Sequence, residues 1–235
     1  ALLGMQKAPV TVMAGDPFQL PPTVINKAAA DLGLSISILE KGFENDLPQL
    51  LLDTQYRMGE KIAGFSNSYF YDNLLKGATD YHGEITFIDT AGANFTEQKD
   101  NGSAFNIKEA EFIKDYLEAE NIATQDTVIL SPYAAQIQVL KSTISTFKVS
   151  TIDAFQGQEA GTIVISLVRA NENGTIGFLK DYRRMNVALT RAKQRLIVIG
   201  DSATIGNDDF YHAFLNYVEA NGTYDSVFSF PFTSY

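Results

Sequence analysis

Four stretches of the chain hold side chains whose types and spacing suit phosphate and nucleotide chemistry. The densest is Lys180–Arg195, with 6 of the 18 basic residues in 16 positions against one acid. Met185, Val187, Ala188, Leu189 and Ala192 supply an apolar stripe at helical spacing there, and Arg184 and Arg191, seven apart, fall on one face. Guanidinium groups fork onto phosphate oxygens; the ordinary alternative is a solvated basic helix. Gly15-Asp-Pro-Phe-Gln-Leu-Pro-Pro22 is a proline-stiffened loop that fixes Asp16 and Gln19. A held amide such as Gln19 can accept from a water and donate to a phosphate oxygen, unless it is only filler in a turn. Tyr56-Arg57 pairs a ring that can stack on a base with a cation for phosphate, or is a packed Tyr beside a salt-bridged Arg. In Val149–Glu159, Ser150 and Thr151 can donate to phosphate and Glu159 can accept from ribose hydroxyls, with a glycine turn at Gly157; the alternative is a capped turn between strands.

These residues need a scaffold. Strand-like runs occur at Val10–Ala14, Gln49–Asp53, Glu84–Ile88, Thr127–Ser131, Thr162–Val168 and Arg195–Gly200. Several are continuously apolar, as strands buried on both faces of a parallel sheet are. Helical patterns fill Glu60–Tyr71, Ile107–Glu120, Ala134–Thr146, Arg183–Ala192 and Asp209–Ala220. The alternation predicts a doubly wound α/β sheet. Ligands of such sheets bind at the carboxyl ends of strands, so the informative residues are expected just after them. Thr90–Ser103, rich in Gly, Asn and Thr, reads as a surface loop, and the tail from Phe210 reads as an amphipathic helix used for packing.

The composition narrows the chemistry. The 235 residues include 28 acids and 18 bases, for a net charge of −10. Zero cysteines exclude disulfides, thiolate catalysis and Cys-ligated zinc. Two histidines 130 residues apart leave no basis for a histidine metal site or a Ser-His-Asp hydrolase, and no metal ligands are assigned. No apolar run approaches transmembrane length, and a cytoplasmic protein is expected. The acidic total argues against a non-specific nucleic-acid binder until the cations are seen to gather at 180–195. The chain opens on Ala and runs almost directly into a strand-like segment, so it is expected to be an excised piece of a longer protein.

In their order, the blocks resemble motifs III to VI of superfamily 1 helicases, and most closely the Upf1-like branch, which runs 5′ to 3′ on single strands. Gly15–Pro22 resembles motif III, Gln55-Tyr-Arg-Met58 motif IV, Asp153-Ala-Phe-Gln-Gly-Gln-Glu159 motif V and Arg183–Lys193 motif VI; Leu130-Ser-Pro-Tyr-Ala-Ala-Gln136 resembles motif IVa. The resemblance covers residues 10 to 200 or so. It implies a RecA-like sheet of the P-loop NTPase type, with residues 1–34 ending a first RecA-like domain and leading to a connector, and 35–235 forming the second. It implies that Gln19 senses the γ-phosphate, Tyr56 lies on the adenine, Arg57 and Arg191 are arginine fingers, and Gly157 and Glu159 adjoin the nucleotide, with Glu159 on the ribose. Ser131, Pro132, Tyr133, Gln136 and Thr151 would face the nucleic-acid strand, DNA or RNA, and Arg184 and Asn186 would support the motif VI helix. ATP and magnesium are the implied cofactors. No Gly-x-x-x-x-Gly-Lys-Ser/Thr loop and no Asp-Glu pair occurs, so the magnesium ligands are expected in the first domain of the full-length chain, and the 235 residues alone are expected to be inactive. Gly59-Glu60 stands where the family has His-Pro, and Met185 where it has Leu. A non-catalytic nucleic-acid-binding or scaffold module with a degenerate helicase fold is the alternative.

Overall fold

The computed structural model describes residues 5–22, 24–45 and 47–231. The chain divides into two compact units, Ala1–Leu52 and Asp53–Tyr235. In the first, a short helix, Ile38–Glu44, opens on a reciprocal cap between Ser37 and Glu40. Val10–Ala14 is not a strand there. Val10 and Val12 are 78% and 91% exposed, and no described segment supplies the hydrogen-bonded neighbour that a strand needs. Gln49–Leu52 likewise has no rung among the described residues; the Asp53 carbonyl accepts from the Lys76 amide at 2.6 Å, beside the short pairing of Thr54–Gln55 with Lys76–Gly77.

The second unit is built on six strands: β1 (Glu84–Asp89), β2 (Thr127–Ser131), β3 (Lys148–Thr151), β4 (Ala160–Ser166), β5 (Ala192–Gly200) and β6 (Thr223–Ser226). They lie in the order β6-β1-β5-β4-β2-β3, and every neighbouring pair is parallel. The helices are α1 (Glu60–Phe70), α2 (Ile107–Ala119), α3 (Ala134–Thr143), α4 (Tyr182–Leu189) and α5 (Asp209–Asn221). This is the expected α/β architecture, a parallel sheet flanked by helices.

The period of two along β1 feeds two different cores. Ile88 joins Phe112, Ile113 and Leu117 of α2 and Leu140 of α3, together with Ile129, Val164 and Ile197. Phe87 turns to the opposite face, where Phe65 of α1 and Phe210 and Phe214 of α5 meet edge to face. The central strands β4 and β5 are therefore covered on both sides, which explains their uninterrupted apolar runs.

Element ends differ from the sequence reading where pairing overrides periodicity. Helix α4 stops at Leu189 because Ala192 is already a rung of β5 opposite Ala160. The predicted loop Thr90–Ser103 contains a small antiparallel ribbon, Gln98–Asp100 with Ser103–Phe105. Thr223–Ser226, polar and short, carries no strand signature yet pairs with β1 as the sheet edge.

Gly59, which departs from the family pattern, has a packing reason. It caps α1 without a side chain, and a Cβ there would overlap the backbone of Gly83, itself at φ +75°. The two glycines let the strand-to-helix turn touch the entry to β1. Gly59→Ala is expected to lower the stability of the chain by about 1–3 kcal/mol, read as a lower denaturant midpoint; an unchanged midpoint would show that the contact yields freely.

Candidate functional site

The Tyr56-Arg57 turn is fastened by Gln55. Its Oε1 accepts from the Arg57 and Met58 amides at 3.0 and 2.8 Å, and its Nε2 donates to the Met58 carbonyl at 2.8 Å. The Gly59 amide then donates to the Lys193 carbonyl at 3.0 Å, tying the turn to the start of β5. Tyr56 is left 75% exposed. Arg57 reaches across, its Nε donating to Glu159 Oε2 at 2.7 Å and its Nη1 to the Thr190 carbonyl at 3.2 Å. Lys193 Nζ lies 4.0 Å from the other oxygen of Glu159. The Arg57 guanidinium holds the Glu159 carboxyl below its usual range, and Lys193 and Arg191 add to the effect. Both partners of the pair are partly exposed, so its contribution to stability is small.

Arg191 is buried at the end of α4. Its Nε donates to the Val187 carbonyl at 2.9 Å, its Nη1 to Gln158 at 3.4 Å and its Nη2 to Thr190 Oγ1 at 3.1 Å. A cation on the last carbonyls of a helix complements the negative end of its dipole. Gly157, exposed at φ +81°, turns the chain just before Gln158 and Glu159. Arg184 pairs with Asp153 and Asp181, and Asn186 donates to the Tyr71 hydroxyl at 2.9 Å, so both brace α4.

The structure brings Arg57, Glu159, Arg191 and Lys193 together, on an edge opposite to the one expected. Glu159 precedes β4 and Arg191 precedes β5, so the cluster sits at the amino ends of those strands, not at their carboxyl ends. The reason is topological: β4 and β5 run parallel, so the residues directly before their first rungs lie at one edge, whatever the link before each strand holds. Gln19 belongs to the Ala1–Leu52 unit, where its Nε2 donates to Asp16 Oδ2 at 2.7 Å.

At the carboxyl edge, Ser131 of β2 pairs in register with Thr151 of β3. Thr151 and Pro132 are half-buried. The other three residues implied for the strand, Ser131, Tyr133 and Gln136, are buried. Ser131 Oγ accepts from the Tyr133 amide at 3.4 Å. Tyr133 is buried and donates to the Ile176 carbonyl at 3.2 Å. Gln136 is buried between the Asn106 backbone and Ser166, accepting at 2.7 Å and donating at 3.2 and 3.0 Å.

Gln136 belongs to a polar network that sequence reasoning missed. Fully buried Glu109 of α2 accepts from Ser166 Oγ at 2.5 Å and from the Val168 amide at 3.0 Å. Asn106 donates to the Phe95 and Val168 carbonyls at 2.6 and 3.3 Å. Together they hold Val168 at φ +71°, which a β-branched residue seldom adopts. Beyond it, Arg169 forms a buried ion pair with Glu97 at 2.7 Å, and Glu97 also accepts from the Ala170 amide and Asn171. The available signal was Ser166, a hydroxyl inside the run Ile163-Val-Ile-Ser-Leu-Val168.

An AAA domain family profile matches residues 34–203. The chain is 33% identical to "Probable helicase MAGATAMA 3" of Arabidopsis thaliana over 85% of its own length and 28% of that protein. It is 33% identical to "Helicase sen1" of Schizosaccharomyces pombe over 85% of its length and 14% of that protein. It is 30% identical to "DNA-binding protein SMUBP-2" of Rattus norvegicus over 95% of its length and 26% of that protein. It thus spans less than a third of these relatives.

Burial pushes the Glu109 carboxyl up to about 7 from 4.5, the charge of Asp201 adds to this, and the bonds from Ser166 and Val168 oppose it. The folded chain holds this proton more tightly than the unfolded one. The contribution of this one group is therefore full below about pH 4.5 and is lost as pH rises through about 7, on the order of 3 kcal/mol. Denaturation across that window should show the decline, flattened in Glu109→Gln; an equal slope in the variant would contradict it. On its motif order, its parallel sheet and these matches, the chain belongs to the AAA domain family and corresponds to the C-terminal region of helicases of the Upf1-like branch of superfamily 1.

Proposed function

We propose that this chain is the C-terminal motor half of an ATP-dependent helicase that moves 5′ to 3′ along a single nucleic-acid strand, with DNA favoured over RNA. The observation that carries the reading is the convergence of Arg57, Glu159, Arg191 and Lys193 from separate segments onto one edge, beside the exposed ring of Tyr56. One acid among three cations fits a ribose and a chain of phosphates. Relatives named as helicases and as a DNA-binding protein support the substrate class.

In this reading Tyr56 offers its ring to the adenine and Glu159 accepts from the ribose hydroxyls. Glu159 and Arg57 hold each other at 2.7 Å. A ribose bonded to Glu159 competes for that oxygen and frees the Arg57 guanidinium to turn toward phosphate. Arg191 donates to the Val187 and Gln158 carbonyls and the Thr190 hydroxyl, and its charge also acts on the Glu159 carboxyl. Bound ATP with magnesium supplies the transferable phosphoryl group. Gln19 and the rest of the first RecA-like domain would complete the site, with the magnesium ligands and phosphate-cradling lysine in that domain. Thr151 and Pro132, with backbone amides of the carboxyl edge, serve the strand.

In the full-length protein, Arg191→Ala is expected to lower kcat for ATP hydrolysis by about 10³-fold or more, with nucleotide affinity retained. Unchanged turnover would overturn the role. The 235 residues alone should show no ATPase with or without single-stranded DNA; strand-stimulated turnover from them would contradict the two-domain reading.

A further inference from the structure

Phe178 is 57% exposed, yet its neighbours Ile176 and Leu179 are buried. Isolated apolar residues at a surface are ordinary. This one is distinguished by what lies beneath it. Its ring stacks on Tyr133, with centroids 5.6 Å apart and planes 17° from parallel. Tyr133 is itself immobilised, buried and bonded through its hydroxyl to the Ile176 carbonyl.

The loop that presents Phe178 is fixed on either side. Asn171 bonds the Thr175 amide and carbonyl, both at 2.9 Å. The Arg169 guanidinium, held by Glu97, packs under Gly177, and the Leu179 carbonyl accepts from Tyr211 at 3.0 Å. One face of the ring is thus taken by Tyr133, and the other stands in water on a rigid mount. Offset parallel stacking of this kind is how aromatic rings also meet nucleobases.

Its place matters as much as its geometry. Tyr133 follows Ser131 by two residues, and Ser131 is the rung partner of Thr151. The aromatic pair therefore adjoins the carboxyl edge of β2 and β3. Lys180, two residues past Phe178, is exposed and in no ion pair among the described residues, so a cation suited to phosphate accompanies the ring.

We propose that Phe178 is a base-stacking platform for single-stranded nucleic acid, with Tyr133 as its backing ring. This rests on the reading of the carboxyl edge as the strand's path. A ring recognises any base by its π face, so the contact adds affinity without sequence preference, and it needs a base and not merely a backbone.

The test is titration of the full-length protein with a short oligothymidylate and with an abasic oligomer of the same length. Phe178→Ala should weaken binding of the oligothymidylate by about five- to hundredfold, the range for one base on one ring. Phe178→Trp should restore it, and neither change should affect the abasic oligomer. Equal affinity of Phe178→Ala and unsubstituted protein for oligothymidylate would overturn the proposal and leave the helicase reading standing. An equal loss on both oligomers would overturn it in favour of a structural role for the ring. Failure of the unsubstituted protein to bind either oligomer would remove the nucleic-acid reading itself, and the platform with it.

Discussion

Ala160 and Ala192 face each other as the first rungs of the ladder between the two central strands. In a parallel pair the residues that precede the first rungs must be neighbours, and here they are Glu159 and Arg191. The Ala160 amide even donates to the Arg191 carbonyl, at 3.1 Å. Everything else in the cluster of Arg57, Glu159, Arg191 and Lys193 is placed relative to that register. Arg57 is brought in by its bond to Thr190, and its turn is moored by Gly59 to Lys193. A slip of one residue between the strands would reverse their buried faces and part the acid from the cations. The two apolar cores that clamp the strands are therefore also what specifies the site.

The register is not uniform. Ala160 pairs with Ala192, but Thr162 pairs with Arg195, so β5 accommodates one extra residue close to the cluster. Such bulges re-aim side chains where they occur. Lys193 lies within the irregular stretch, and its ammonium reaches toward Glu159.

Much of the fold was legible because it rests on local patterns. The apolar runs at 127–131 and 195–200 and the helical periodicity at 60–71 and 209–220 correspond to β2, β5, α1 and α5, within a residue or a few. What was not legible depends on partners distant in sequence. Val10–Ala14 has strand composition and no strand neighbour among the described residues, and Thr223–Ser226 has a neighbour and no strand composition. For the candidate site, Arg57, Glu159 and Arg191 could be named from motif order, but not the edge they occupy, since that depends on where the first rungs of β4 and β5 fall, at Ala160 and Ala192. Gln136 shows what motif words omit: the partners of its amide, the Asn106 backbone and Ser166, lie 30 residues away on either side and follow from packing.

Strand β4 begins just after Glu159 and ends two residues before Val168, so it joins the Arg57–Glu159 cluster to the strained turn that leads into the Arg169–Glu97 loop. Its seven residues span about 20 Å. Buried on both faces and hydrogen-bonded along both sides, it can neither buckle nor stretch without breaking rungs. Sliding it along its axis would break the rungs to both neighbours as well, so Glu159 and Val168 are held at a fixed separation on opposite edges of the sheet, and neither end can be repositioned alone.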